Sequence, residues 1–133
     1  MSKETINPPE LFNSLQYGFS QGVVSTGRKT IHLSGQVAWN ADEEIEGAGD
    51  LGVQMRASLR NVAIALQAAG ATLADVVSLR IYFLDRLRDD LSGIGAGLRE
   101  FFPQEPPATT WIGVMSLADP AFLVEVEALA VVD

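Results

Sequence analysis

The stretch Leu123-Val124-Glu125-Val126-Glu127-Ala128-Leu129-Ala130-Val131-Val132 alternates with a period of two. That is the spacing of an extended strand, whose successive side chains face opposite ways. Val124, Val126, Ala128, Ala130 and Val132 form one wholly apolar face, suited to packing beneath helices. Leu123, Glu125, Glu127, Leu129 and Val131 form the other, which mixes two carboxylates with three large apolar groups. Water does not favour the apolar groups, and a monomer core does not hold two unpaired glutamates. The mixed face is therefore expected to meet other copies of the chain in a closed oligomer.

Val76 to Leu84 reads as another strand, with Val77, Leu79, Ile81 and Phe83 on one face. Val76, Ser78, Arg80 and Tyr82 repeat the mixed character on the other, and Arg80 is available to pair with Glu125 or Glu127. Asp50 is suited to cap a first helix, in which Met55, Leu59, Val62, Ala63 and Leu66 recur at helical spacing before Gly70 ends it. A second helix is expected over Leu87 to Phe102, with Leu91, Ile94, Leu98 and Phe101 as its stripe and Pro103 as its stop. Gly93, Gly95 and Gly97 lie within it, each costing about 1 kcal/mol against alanine. They follow no strand and open no helix, so a dinucleotide loop is rejected. Close packing against a neighbour, or a first turn that is not helical, accounts for them.

Pro8-Pro9 makes the first eighteen residues irregular. Phe19 to Ser25 and Lys29 to Gln36 read as an antiparallel hairpin turning near Thr26-Gly27, and Ala41 to Gly49 as an acidic surface loop. After Pro106-Pro107, a strand over Ala108 to Met115 turns around Ala118-Asp119-Pro120 into the final strand. The order β-β-α-β-α-β-β over residues 1–133 predicts one α+β domain, with both helices on a single face of one sheet.

Composition excludes several classes of function. The chain has no cysteine, hence no disulfide scaffold, thiolate nucleophile or Cys-ligated metal. Its formal net charge of −8 and lack of a Lys/Arg cluster make nucleic acid a poor partner. His32 is the single histidine, so neither a Ser-His-Asp relay nor a multi-histidine metal site is supported. The start Met1-Ser2-Lys3-Glu4-Thr5 has no apolar segment of a secretory signal, and no apolar run is long enough to span a bilayer. No membrane partner and a cytoplasmic location are expected.

Several segments resemble one family. Ile31-His32-Leu33-Ser34-Gly35-Gln36-Val37, Leu59-Arg60-Asn61-Val62 with Ala69-Gly70, and Val76-Val77 through Phe83-Leu84-Asp85 are similar to segments of the RidA (YjgF) family, older name L-PSP endoribonuclease. Pro107-Ala108 and Val124-Glu125-Val126-Glu127-Ala128 continue the likeness, in order, over nearly the whole chain. The resemblance implies a chorismate-mutase-like fold, a homotrimer whose sheets line a central barrel, and ligand clefts between subunits. It also implies cofactor-free hydrolysis of enamines and imines such as 2-aminoacrylate to a keto acid and ammonia. In that chemistry a guanidinium grips the substrate carboxylate, a backbone amide orients it, and a glutamate handles water. By resemblance, Gly35 of the Ser34-Gly35 pair supplies the backbone position and Glu125 the catalytic carboxylate, with Phe19 where many members have tyrosine.

The chain departs from the family where that chemistry is most demanding. Thr109, within Pro107-Ala108-Thr109-Thr110-Trp111, occupies the position of the family's arginine. Loss of a bidentate charged contact costs about 2–5 kcal/mol in carboxylate binding, or tens to thousands of fold. Trp111 brings a large ring to a pocket-lining position, and Gly95 stands where some deaminating members have asparagine. Arg80 and His32 are the candidates to replace the arginine. Three functions follow: binding of a less anionic metabolite in a cleft of Phe19, Ser34, Thr109 and Trp111; an altered enamine or imine deaminase using Glu125; or a ribonuclease, which the acidic charge disfavours. The oligomer is checked by light scattering, which should give a multiple of the chain's 14.3 kDa; the mass of one chain would overturn it.

Overall fold

The final strand lies inside a four-stranded sheet of order β3-β6-β4-β5. β3 is Lys29–His32, β4 Val76–Leu84, β5 Ala108–Val114 and β6 Val124–Val132. The computed structural model describes residues 2–133. β6 runs antiparallel to both β3 and β4, whereas β4 and β5 are parallel. The connection between those two carries α2 (Ser92–Phe101), and α1 (Leu51–Ala68) precedes β4. The result is the expected α+β architecture.

Alternation along β6 is realised as read: Val124, Val126, Ala128 and Ala130 join Met55, Leu59, Val62 and Leu66 of α1 and Ile94 and Leu98 of α2 in one core. β4 departs at its first residues. A register irregularity between Val76 and Ser78 turns Val76 into this core, although strict alternation assigned it to the mixed face.

Asp50 caps α1, its carboxylate accepting from the Val53 amide at 3.0 Å. Gly70 follows the helix with φ 77°, the left-handed conformation in which only glycine is free of Cβ strain. α2 is shorter than expected. Asp90 accepts from the Ser92 amide and hydroxyl at 3.1 and 2.6 Å, so the helix opens at Ser92. Its glycines answer to packing: a Cβ on Gly93 would stand 2.9 Å from Gly52 Cα, and one on Gly97 2.8 Å from Met55 Cγ. α1 and α2 approach too closely there for any side chain.

The N-terminal segment corrects the sequence reading twice. Ser2–Ile6 forms β1, paired antiparallel with β2 (Gly22–Thr26), and Ser14–Tyr17 forms a short 3-10 helix. β2 and β3 are no hairpin pair: β2 pairs with β1 in a separate two-stranded sheet and β3 with β6 in the four-stranded one, where one sheet was expected. The β1–β2 ribbon lies across one end of the four-stranded sheet. Ser20 bridges to Ala108 at one side, and Gly27 packs on Val131 and Val132 at the other. Val131 is thereby buried within the chain, and so is Leu123. Of the three apolar groups on the mixed face of β6, only Leu129 keeps partial exposure, which reduces the apolar area left for another subunit.

A buried side chain that hydropathy did not single out fastens α1 to β6. Gln54, fully buried, donates to the Gly47 and Ala121 carbonyls at 3.1 and 2.9 Å and accepts from the Leu123 amide at 2.8 Å. Gln54→Leu keeps the volume and orphans all three backbone groups. It should lower unfolding stability by about 3 kcal/mol, read from urea midpoints; a loss below roughly 1 kcal/mol would refute this role.

Candidate functional site

Two groups of candidate residues form, on opposite faces of the sheet. On the mixed face, Glu125 of β6 lies opposite Tyr82 of β4. Its carboxylate rests on Gly35, where an added Cβ would meet Glu125 Cδ at 2.7 Å. Gly35 therefore permits this contact through the side chain it lacks. Its segment is held by Gln36, whose amide donates to the Val126 carbonyl at 2.7 Å and whose carbonyl accepts from the Val126 amide at 2.9 Å. Asn61 of α1 reinforces it by donating to the Val37 and Trp39 carbonyls at 2.7 and 2.9 Å. The Glu125 carboxylate and the Ser34 and Gly35 amides have no hydrogen-bond partner among the described residues. A half-buried carboxylate beside free amides offers both an acceptor and donors to an incoming polar molecule.

Arg80 and His32 are near neighbours of this pair without joining it. Arg80 faces Glu127 at 3.8 Å, and the two line a hollow of about 300 Å³ with His32, Ser78 and Leu129. The open choice between Glu125 and Glu127 as the partner of Arg80 thus falls to Glu127. Tyr82 donates to the same carboxylate at 3.0 Å.

The second group lies at the β5 edge, on the helix side. Thr109 and Trp111 sit beside Leu79 and Ile81 of β4, and Trp111 packs against the core. Trp111 Nε1 donates to the Thr109 hydroxyl at 3.0 Å, and the Phe19 ring stands 5.9 Å from the Trp111 ring. Ser20 fixes Phe19 there: its amide donates to the Pro107 carbonyl at 3.0 Å and its hydroxyl to the Pro106 carbonyl at 2.5 Å. Trp111 and Gly95 then help line a cleft of about 410 Å³, completed by Gln16, Tyr17, Leu91, Ser92 and Arg99.

Thr109 and Glu125 are thus not brought together within one copy of the chain. Residues facing the same way on paired strands share a sheet face, and Thr109 aligns with Leu79 whereas Glu125 aligns with Tyr82. Of the expected site residues, Phe19, Thr109, Trp111 and Gly95 gather at the β5 edge. Gly35 and Glu125 gather on the mixed face, with the exposed Ser34 beside them. Sequence reading missed Tyr17 and Arg99. The available signal was the four-residue step from Gly95 to Arg99 on one helix, which puts both on one face.

The family model described as Endoribonuclease L-PSP matches residues 13–132. The chain belongs to the Rid/YjgF family. A solved Rid-family structure, YyfB of Yersinia pestis, is similar with a TM-score of 0.93 and 41% identity, over 99% of this chain and 100% of that one. The structure of E. coli TdcF with bound serine is similar with a TM-score of 0.70 and 28% identity, over 86% and 88% of the two chains. The protein mmf2, mitochondrial, of Schizosaccharomyces pombe is 30% identical over 98% of both chains.

No helix of the described residues is long and apolar enough to cross a membrane, and no cluster of His, Asp and Glu among them is suited to a metal ion.

The hydrogen bond to Glu127, with lesser contributions from desolvation and the Glu127 charge, holds the Tyr82 phenol above its ordinary 10.0. The protonated phenol is the favoured folded form. Its stabilisation is complete below pH 10.0 and is lost as pH rises through the raised value. Spectrophotometric titration, with Tyr82→Phe subtracted to isolate this phenol, should show ionisation above 10.0, returning toward it in Glu127→Gln. An unchanged titration in Glu127→Gln would refute the assigned cause.

Proposed function

We propose that this Rid-family chain, a single RidA-like domain, assembles as a homotrimer with a central barrel and binds a small metabolite in clefts between its subunits. The observation that carries this reading is the hydrogen bond between Trp111 and Thr109. Where the family's arginine is expected, the chain offers a neutral hydroxyl engaged by an indole, beside the Phe19 ring. Such a wall favours apolar or weakly polar groups over a bare small carboxylate. Since Thr109 and Glu125 occupy opposite faces, a cleft that uses both takes one group from each of two copies. The serine bound by E. coli TdcF supports a small-molecule ligand for a relative of this shape.

A second reading is favoured by Glu125, whose unpartnered carboxylate on Gly35 suits a general base that positions water. On it the protein is a cofactor-free deaminase releasing ammonia and a keto compound from an altered enamine or imine. An enamine first gains a proton at carbon to become the imine. Water then adds to the C=N carbon as Glu125 accepts one of its protons and the imine nitrogen is protonated by solvent. Glu125 returns its proton to that nitrogen, the C–N bond breaks to release ammonia, and the hydroxyl loses its proton to solvent as it becomes the carbonyl. Neither reading calls on nucleic acid, which the net charge of −8 repels despite the family model's endoribonuclease description. A cytoplasmic location is part of the proposal, and the mitochondrial designation belongs to the yeast relative alone.

The deciding experiment measures 2-aminoacrylate deamination by wild type and Thr109→Arg side by side. The arginine should raise turnover by about tenfold or more, since a charge-assisted bidentate contact is worth that much in carboxylate binding. Equal and rapid turnover by wild type would overturn the binding reading and leave the deaminase.

A further inference from the structure

The cleft at the β5 edge contains a cation, Arg99. Arg99 is the charged residue among its lining, and Tyr17, Leu91 and Trp111 provide apolar walls. The guanidinium is held in place: Arg99 Nη1 donates to the Gln16 carbonyl at 3.0 Å. Its remaining N–H groups have no partner among the described residues, and Arg99 forms no ion pair among them, unlike Arg60 with Glu46 and Arg80 with Glu127. Gly95 leaves room for this placement: a Cβ at that position would lie 3.2 Å from Arg99 Nη1 and 3.3 Å from the Tyr17 carbonyl, tight contacts that the guanidinium would have to shift slightly to relieve. The edge strand thus carries a neutral threonine at 109, and one turn of α2 carries glycine at 95 and arginine at 99.

We propose that Arg99 is the carboxylate-binding group of this cleft, and that its ligands are small carboxylic acids bearing an aromatic or bulky apolar group. The carboxylate takes the free N–H groups of Arg99, and the apolar group lies against Tyr17 and Trp111. Arg99 is exposed, and its one hydrogen bond to the Gln16 carbonyl leaves the other donors of the planar guanidinium open to a ligand. The volume of about 410 Å³ accommodates a ring and a short chain. This assignment rests on reading the cleft as a small-molecule site.

The test is calorimetric titration of the intact protein with phenylacetate and its neutral counterpart phenylacetamide. Wild type should bind the acid about tenfold or more tightly than the amide, the ordinary worth of a charge-assisted contact. Arg99→Gln, which removes the charge, should lose that preference and bind phenylacetamide as wild type does. Arg99→Lys should retain part of it. Unchanged acid binding in Arg99→Gln, or a parallel loss of both compounds, overturns the assignment. If wild type binds neither compound while other metabolites quench a tryptophan signal that Trp111→Ala removes, Arg99 is wrong and the cleft remains a site. If no metabolite produces such quenching either, both readings fall.

Discussion

The placement of β6 depends on one buried amide. Gln54 sits at zero exposure on the apolar side of α1, where its side chain substitutes for a strand neighbour at the entry to β6. Burying an amide without partners costs several times what one good hydrogen bond contributes, so the site tolerates only a geometry that satisfies both ends. With the Leu123 amide and Ala121 carbonyl so held, the next residues enter the sheet in fixed register. Val124 and Val126 then face the core, and Glu125 must face Gly35 and Tyr82. A one-residue slip would exchange the faces and bury the carboxylates.

From that register follow two chemically different surfaces. The mixed face gathers ionisable and hydroxyl groups: Glu125 on Gly35, and Glu127 shared by Tyr82 and Arg80. The β5 edge gathers aromatic rings from segments distant in sequence, Phe19 and Trp111, with Tyr17 and Leu91 bordering the same cleft. Catalysis by Glu125 on a molecule bound at the β5 edge of the same copy is excluded by the intervening sheet. The proposed trimer would combine the two surfaces by bringing one from each of two copies to a shared cleft.

The helices show how packing and chemistry share residues. Gly93 and Gly97 exist because α1 passes within contact distance, whereas Gly95 faces the Tyr17 carbonyl and the Arg99 guanidinium. Three glycines in alternation therefore do two different things, since a two-residue step on a helix turns the chain by more than half a revolution. The steric cost is higher toward α1, where an added Cβ would come within 2.9 Å of Gly52 or 2.8 Å of Met55, than toward Tyr17 and Arg99 at 3.2–3.3 Å.

The strand alternation in β6 and most of β4, the Asp50 cap and the apolar stripe of α1 were legible in the sequence. Each is set by neighbours along the chain or by the chemistry of one side chain. The pairing of β1 with β2, the burial of Leu123 and Val131, and the inward turn of Val76 were not. These depend on which distant segments the folded chain brings side by side, and on a register irregularity that breaks the two-residue period. For the candidate site the division is similar. Residue types at Gly35, Glu125, Thr109 and Trp111 were determined by the sequence alone. That Glu125 lies on Gly35, that Trp111 donates to Thr109, and that Arg99 turns over Gly95 was decided by the tertiary structure, because short-range contacts between distant segments exist only once the core has fixed their separation.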